Sequence, residues 1–309
     1  VSGVTLGLVM GRACFCDRSG DMSITQTFRN ALTGESLLHQ FNDAALQNHL
    51  QQGVSEATFP GHFCHPDFAV KPGETVLLTQ HRADRARQIA TSLSEICEVY
   101  SLIELEGAVK PDQVFFAASP LDHGLGFELI RHGLSSVRVA EKCKFPHVTT
   151  FFNGLNAGLE GREICIPSVP EAEFANSPQM SVDAVADAVV DAIADPDIDL
   201  VIANLANLDQ IGHLGNYALA AEAAKHVDRA LQKIVDGCLQ AGACAVITSD
   251  HGNADCVTDA HGRPFGSHTI NPVPVVLVPP AGHSVHWQAD SGTIAQLAAT
   301  LLGILGLAA

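Results

Sequence analysis

The sequence predicts an α/β fold, a mostly parallel sheet covered by helices on both faces, and three observations predict it. From residue 74 onward, apolar runs of strand length alternate with longer stretches of helical spacing. The runs are apolar on successive residues, as strands of a sheet covered on both sides are. Finally, two aspartates follow directly on such runs, where open α/β sheets collect their reactive groups.

Residues 1–70 are weakly patterned, with helices expected at 24–32 and 35–50. Strands are then expected at 75–79, 99–102 and 114–118, with a helix at 83–93 between the first two. Ser119-Pro120-Leu121-Asp122 is a turn-like break that sets a domain boundary, dividing the chain into 1–119 and 120–309. Beyond it come a helix at 127–132 and strands at 137–140, 148–152 and 164–166. A helix at 182–194 has Ser181 as its expected N-cap and Asp183 in its first turn. Val182, Val185, Val189 and Ile193 form its apolar stripe, and Pro196 ends it. A strand at 200–203, a long helix at 217–241, strands at 243–248 and 273–278, and a helix at 293–305 complete the series. No internal repeat or low-complexity tract interrupts it.

Composition narrows the function. The chain has 309 residues, 47% of them apolar and 17% charged, which is the balance of a globular protein with a sizeable core. Thirty-four acidic against 17 basic residues leave a net charge of −17, which argues against nucleic acid as a partner. No signal peptide and no apolar run long enough for a bilayer is read, so no membrane partner is expected. The nine cysteines are odd in number, scattered and without C-x₂-C spacing, as free thiols of a reducing cytoplasm would be.

The chemistry lies in three short segments, N-L-D-Q-I-G-H at 207–213, S-D-H-G-N at 249–253 and S-H-T at 267–269. They supply Asp209, His213, Asp250, His251 and His268, the oxygen and imidazole donors that hold divalent ions. Five ligands exceed what one catalytic ion with an open position needs, so a two-metal hydrolase or phosphotransferase centre is expected. Asp209 and His213 are four apart, so one helical turn places both on one side. Asp250 and His251 are adjacent, and a tight turn at Gly252 is needed to bring both to the ions. Taken singly, a D-x-x-x-H on a helix or a D-H-G turn is ordinary; their order after two strands is what carries weight.

These segments, extended to N-L-D-Q-I-G-H-L-G, T-S-D-H-G-N-A-D and S-H-T-I-N-P-V-P, resemble the metal-binding motifs of the cofactor-independent (2,3-bisphosphoglycerate-independent) phosphoglycerate mutases. That family belongs to the alkaline-phosphatase-like superfamily. R-A-D-R-A-R at 82–87 and K-F-P-H-V-T-T-F-F-N-G at 144–154 resemble further motifs of the family, and Gly11-Arg12 with Asp17-Arg18 fit a third more loosely. The resemblance implies that Asp209, His213 and His268 hold one ion and Asp250 with His251 a second, both Mn²⁺. It implies that Arg12, Arg18, Arg82, Arg85 and Lys144 grip the carboxylate and phosphate of phosphoglycerate, as guanidinium forks and an ammonium group can. It implies an alkaline-phosphatase-like domain at 120–309, preceded by the later part of an α/β transferase domain at 1–119. The expected activity is the interconversion of 3-phosphoglycerate and 2-phosphoglycerate through a metal-activated phosphoserine, in a cytoplasmic monomer.

The chain also departs from the family. The nucleophilic serine and an N-terminal aspartate lie in D-G-x-G and N-S-E-x-G-H segments upstream of anything in this sequence. With Val1 in place of an initiator Met, both domains are expected to be incomplete at the N-terminal side, a shortened relative being the alternative. Ala13, Cys14, Phe15 and Cys16 stand where the family has Y-Y-A-M, and Gln80-His81 where it has Asn-Phe. Another alkaline-phosphatase-like phosphatase or phosphomutase, and a non-catalytic relative that binds metal and phosphoglycerate, are the rival readings.

Overall fold

A computed structural model of the chain describes residues 3–15, 21–52, 54, 56–105, 107–117, 119, 121, 123–154, 156, 159, 161–284 and 291–307, with the backbone alone at 56, 84, 85 and 111. The chain divides into two compact units, Val1–Ser119 and Pro120–Ala309.

In the first unit, β1 (Leu8–Val9) runs antiparallel to β3 (His62–Phe63), and β2 (His39–Gln40) parallel to it. These two-residue strands carry no periodicity, which is why the sequence did not reveal them. The helix α1 (Met22–Leu32) is capped by Asp21, whose side chain accepts from the Ser23 N–H at 2.8 Å. The helix expected at 35–50 is shorter. It begins at Asp43 as α2 (Asp43–Gln51), because the Asn42 side chain takes the Ala45 N–H at 2.9 Å and fixes the start there. Upstream, Gly34 has a φ of +77° that a helix does not allow. The strands β4 (Thr75–Leu78), β5 (Glu98–Ile103) and β6 (Val114–Phe116) form a parallel sheet in sequence order. Helix α3 (Ala83–Ser94) buries Ala86, Ile89, Ala90 and Leu93 against Val99 and Leu105, with Phe28 and Leu32 of α1 closing the same core. Each large apolar side chain so buried stabilises the unit by roughly 1.5–3 kcal/mol.

In the second unit, helix α4 (Leu125–Arg131) precedes β7 (Ser136–Glu141), which lies at the centre of a parallel sheet between β8 (Arg162–Ile166) and β9 (Leu200–Asn204). Both faces are covered. Val201 joins Val137 and Val139 under α6 (Val182–Ile193), while Leu200 and Ile202 point the other way, toward α4 and α9 (Leu297–Ile304). α8 (Tyr217–Ala241) starts at the cap Asn216 and ends at Gly242, whose φ of +65° forms a left-handed stop. All six β7 residues are buried, including Arg138 and Glu141; Arg138 lies over the Phe152 ring at 4.6 Å, and Glu141 accepts the Ser181 N–H at 2.9 Å.

Several expectations need correction here. Residues 148–152 are not a strand. Phe145–Val148 form a short helix, α5, with Pro146 in its first turn. The Phe145 carbonyl then accepts both the Thr149 N–H at 3.2 Å and its hydroxyl at 2.8 Å, which keeps the β-branched pair in turns. Ser181 does not cap α6, since its hydroxyl donates to the Pro167 carbonyl instead. The last helix opens with a 3-10 turn at Ile294–Gln296 under a Thr293–Gln296 capping box. The strands β10 (Ala245–Ile247) and β11 (Val276–Val278) pair antiparallel as a separate sheet. Among the described residues no helix is long and apolar enough to cross a membrane, and the described cysteines are free thiols.

Candidate metal centre

The chain leaves β9 and enters a single helical turn and a half, α7 (Asn207–Gly212). Asn207 is fully buried, and its amide donates to the carbonyls of Pro178 and Gln179 at 2.9 and 2.8 Å, which fixes where the helix begins. Asp209 therefore faces inward, and His213 stands one turn later with Nε2 at 3.3 Å from Asp209 Oδ1.

Two further loops bring imidazoles to the same oxygen. His268 Nε2 is 3.2 Å from Asp209 Oδ1 and His251 Nε2 is 4.0 Å away. The His251 and His268 rings stack with centroids 3.6 Å apart. Asp250 Oδ2 lies 3.4 Å from His251 Nε2. The five residues thus gather in one place, and ligand atoms of Asp209, His213 and His268 all fall within 4.8 Å of one another. The other oxygen of Asp209 pairs with Lys144, whose Nζ is 2.5 Å from Oδ2 at the start of α5.

The donor set fits a divalent ion on its own evidence. His213 Nδ1 lies 2.6 Å from the Gly266 carbonyl and donates to it, which leaves Nε2, the nitrogen that faces Asp209, as the one to ligate an ion. Burial pushes the Asp209 carboxyl up, but the bonds and charges of His213 and Lys144 outweigh it and hold the group far below the usual carboxylate range. The bond to Asp209 raises His213, against an opposing contribution from burial. Burial lowers His268, and the neighbouring His251 adds to that.

Packing around these ligands leaves little room. A side chain at Gly212 would put its Cβ 2.2 Å from Asn253 Oδ1, and one at Gly266 would meet the His213 carbonyl at 2.2 Å. Asn253, almost fully buried, donates to Asp209 Oδ1 at 3.1 Å and is a further residue of the site. It stands within the S-D-H-G-N segment, but a residue that binds a ligand rather than an ion has no spacing signal of its own.

A family model described as the Metalloenzyme superfamily matches residues 35–309. The chain belongs to that superfamily. It is similar to proteins named 2,3-bisphosphoglycerate-independent phosphoglycerate mutase. The one from Gloeobacter violaceus is 31% identical over 98% of this chain and 60% of the relative. The one from a Synechococcus strain is 37% identical over 77% and 49%, and that from Streptomyces coelicolor 34% over 97% and 61%. The chain therefore spans about three fifths or less of the length of these relatives. The fold is that of a solved structure of Leishmania mexicana phosphoglycerate mutase at low cobalt concentration. That similarity has a TM-score of 0.76, at 22% identity, over 98% of this chain and 63% of the other. The α/β, alkaline-phosphatase-like class expected from sequence is the class observed, and superfamily and donor set together indicate use of a divalent metal.

The residues expected to grip substrate are placed less uniformly. Lys144 is buried and paired with Asp209. Arg12 opens a short 3-10 turn in the first unit, and Arg82 precedes α3; both are exposed. Arg18 and the side chain of Arg85 lie outside the described residues.

Proposed function

We propose that this chain carries the metal centre of a phosphoglycerate mutase, which interconverts 3-phosphoglycerate and 2-phosphoglycerate in the cytoplasm. The observation that supports it most is the convergence of three imidazole Nε2 atoms on Asp209 Oδ1, with His213 Nδ1 turned to a carbonyl. Asp209, His213 and His268 would hold one Mn²⁺, and Asp250 with His251 a second. Bound ions would supply charge neutralisation for a transferring phosphoryl group and acidify the hydroxyl that receives it.

The chain's own residues have distinct parts in this reading. Asn253 and Lys144 keep the Asp209 carboxylate ionised and oriented. The Gly266 carbonyl keeps the His213 proton on Nδ1. Arg12, Arg18, Arg82, Arg85 and Lys144 are the cations proposed for the carboxylate and phosphate of the substrate. The 1–119 unit would then be the later part of the transferase domain, and 120–309 the phosphatase-like domain. In the proposed reaction a serine carries the phosphoryl group from one glycerate hydroxyl to the other. No serine of this chain is assigned that role, so the 309-residue protein should show negligible mutase turnover with Mn²⁺ while still binding the metal.

Calorimetric titration with Mn²⁺, followed by 3-phosphoglycerate, tests the reading. Metal-dependent binding of 3-phosphoglycerate, and loss of Mn²⁺ binding in Asp209→Asn, are expected. No uptake of Mn²⁺, or uptake indifferent to Asp209→Asn, overturns it.

A further inference from the structure

The three histidines that face Asp209 are not held alike. His213 is fixed through Nδ1 by the Gly266 carbonyl, and His251 Nδ1 lies 3.3 Å from the Gly252 carbonyl. Among the described residues His268 has no hydrogen bond through Nδ1, and its side chain is 47% exposed. Its ring nevertheless stacks on His251 and presents Nε2 to Asp209. Something other than the ring itself must set its position.

The residue next to it is tied down strongly. The Thr269 N–H donates to the Gly252 carbonyl at 2.9 Å, in an isolated antiparallel bridge between the two ligand loops. The Thr269 hydroxyl donates to Asp255 Oδ2 at 3.0 Å, and Asn271 Nδ2 donates to the same oxygen at 2.6 Å. The cluster lies directly on Gly252, where an added Cβ would be 2.2 Å from Thr269 Oγ1 and 2.7 Å from Asp255 Oδ1. Asp255 belongs to the loop that carries Asp250 and His251, and it grips the residues on either side of Ile270, immediately after His268.

We propose that Asp255 is the positioning residue of His268: it clamps Thr269 and Asn271, and so sets His268 against His251 and over Asp209. The proposal rests on the metal-centre reading. A carboxylate that accepts two donors from one loop restricts both the height and the twist of that loop, and residues that orient metal ligands in this way commonly contribute 10–100-fold in metal affinity.

The test is Mn²⁺ titration of the whole chain by calorimetry, with far-UV circular dichroism as the check on folding. Asp255→Ala is expected to weaken Mn²⁺ binding by about 10–100-fold. Thr269→Val, which removes only the hydroxyl, should weaken it in the same direction and carries the test if Asp255→Ala does not fold. The decisive variant is Asp255→Ala combined with His268→Ala. If Asp255 acts through His268, the pair binds Mn²⁺ no more than about twofold worse than His268→Ala alone. The exchange of Asp255→Asn with Asn271→Asp, which restores a donor facing a carboxylate, should recover most of the affinity. Equal binding by the wild type and both single variants overturns the role of Asp255, and so does a loss in the double variant that adds to that of His268→Ala. A wild-type chain that takes up no Mn²⁺ instead overturns the metal-centre reading itself, and this inference with it.

Discussion

At the scale of residues, the site is limited by atoms that have no room to move. The Gly266 carbonyl holds the His213 ring, while its Cα faces the His213 backbone so closely that an added Cβ would lie 2.2 Å from the carbonyl oxygen. Backbone cannot yield as the end of a side chain can. Gly266→Ala should therefore displace the His213 turn and weaken Mn²⁺ binding by about 10–100-fold, as read by calorimetry, while the far-UV spectrum stays near wild type. Asp209 with His213 was legible in the sequence because a four-residue spacing on a helix means contact. Asn253 and Asp255 were not, because each binds a ligand or its neighbour, and such contacts depend on loop geometry that no spacing encodes.

At the scale of elements, β7 carries an ionisable pair of positions through the middle of a sheet. Burial pushes the Glu141 carboxyl up, against the Ser181 N–H and the Ser168 hydroxyl that favour its charged form. A carboxyl raised on folding binds its proton more tightly in the native state, so at Glu141 the native state is the more protonated one as pH rises above 4.5. The contribution of Glu141 to stability is complete below that pH and is lost as pH rises through the folded value. Glu141→Gln removes the loss. Its melting temperature should exceed wild type at pH 7, with the difference narrowing toward pH 4.5, in scans across that range. Element by element, long amphipathic patterns such as α6 and α8 were readable because burial enforces their period. The 148–152 segment was misread because Val-Thr-Thr-Phe-Phe has strand composition while a hydroxyl bond to Phe145 keeps it turned. The small β1–β3–β2 sheet was missed because two residues cannot show alternation.

At the scale of the whole molecule, the two units have separate cores: the cluster around Leu93 is drawn entirely from the first, and those around Val137 and Ile211 entirely from the second. Leu93→Ala should cost about 2–5 kcal/mol in the first unit, seen as an early step in thermal unfolding, while Mn²⁺ affinity measured below that step is unchanged. The alternation of strands and helices made the α/β class legible from sequence, but sheet membership was not, because a strand's partner is chosen by contacts far along the chain. Hence β10 and β11 pair antiparallel, apart from the sheet that holds β9. Yet helix α7 after β9 and the segment between β10 and β11 deliver Asp209 and His268 to within 3.2 Å of each other. A cation seated between them would act as a stitch across two sheets that share no backbone ladder. Chelation would then do more than silence chemistry: it would cut that stitch, and the amides of β10 and β11 would exchange with solvent faster than those of β7.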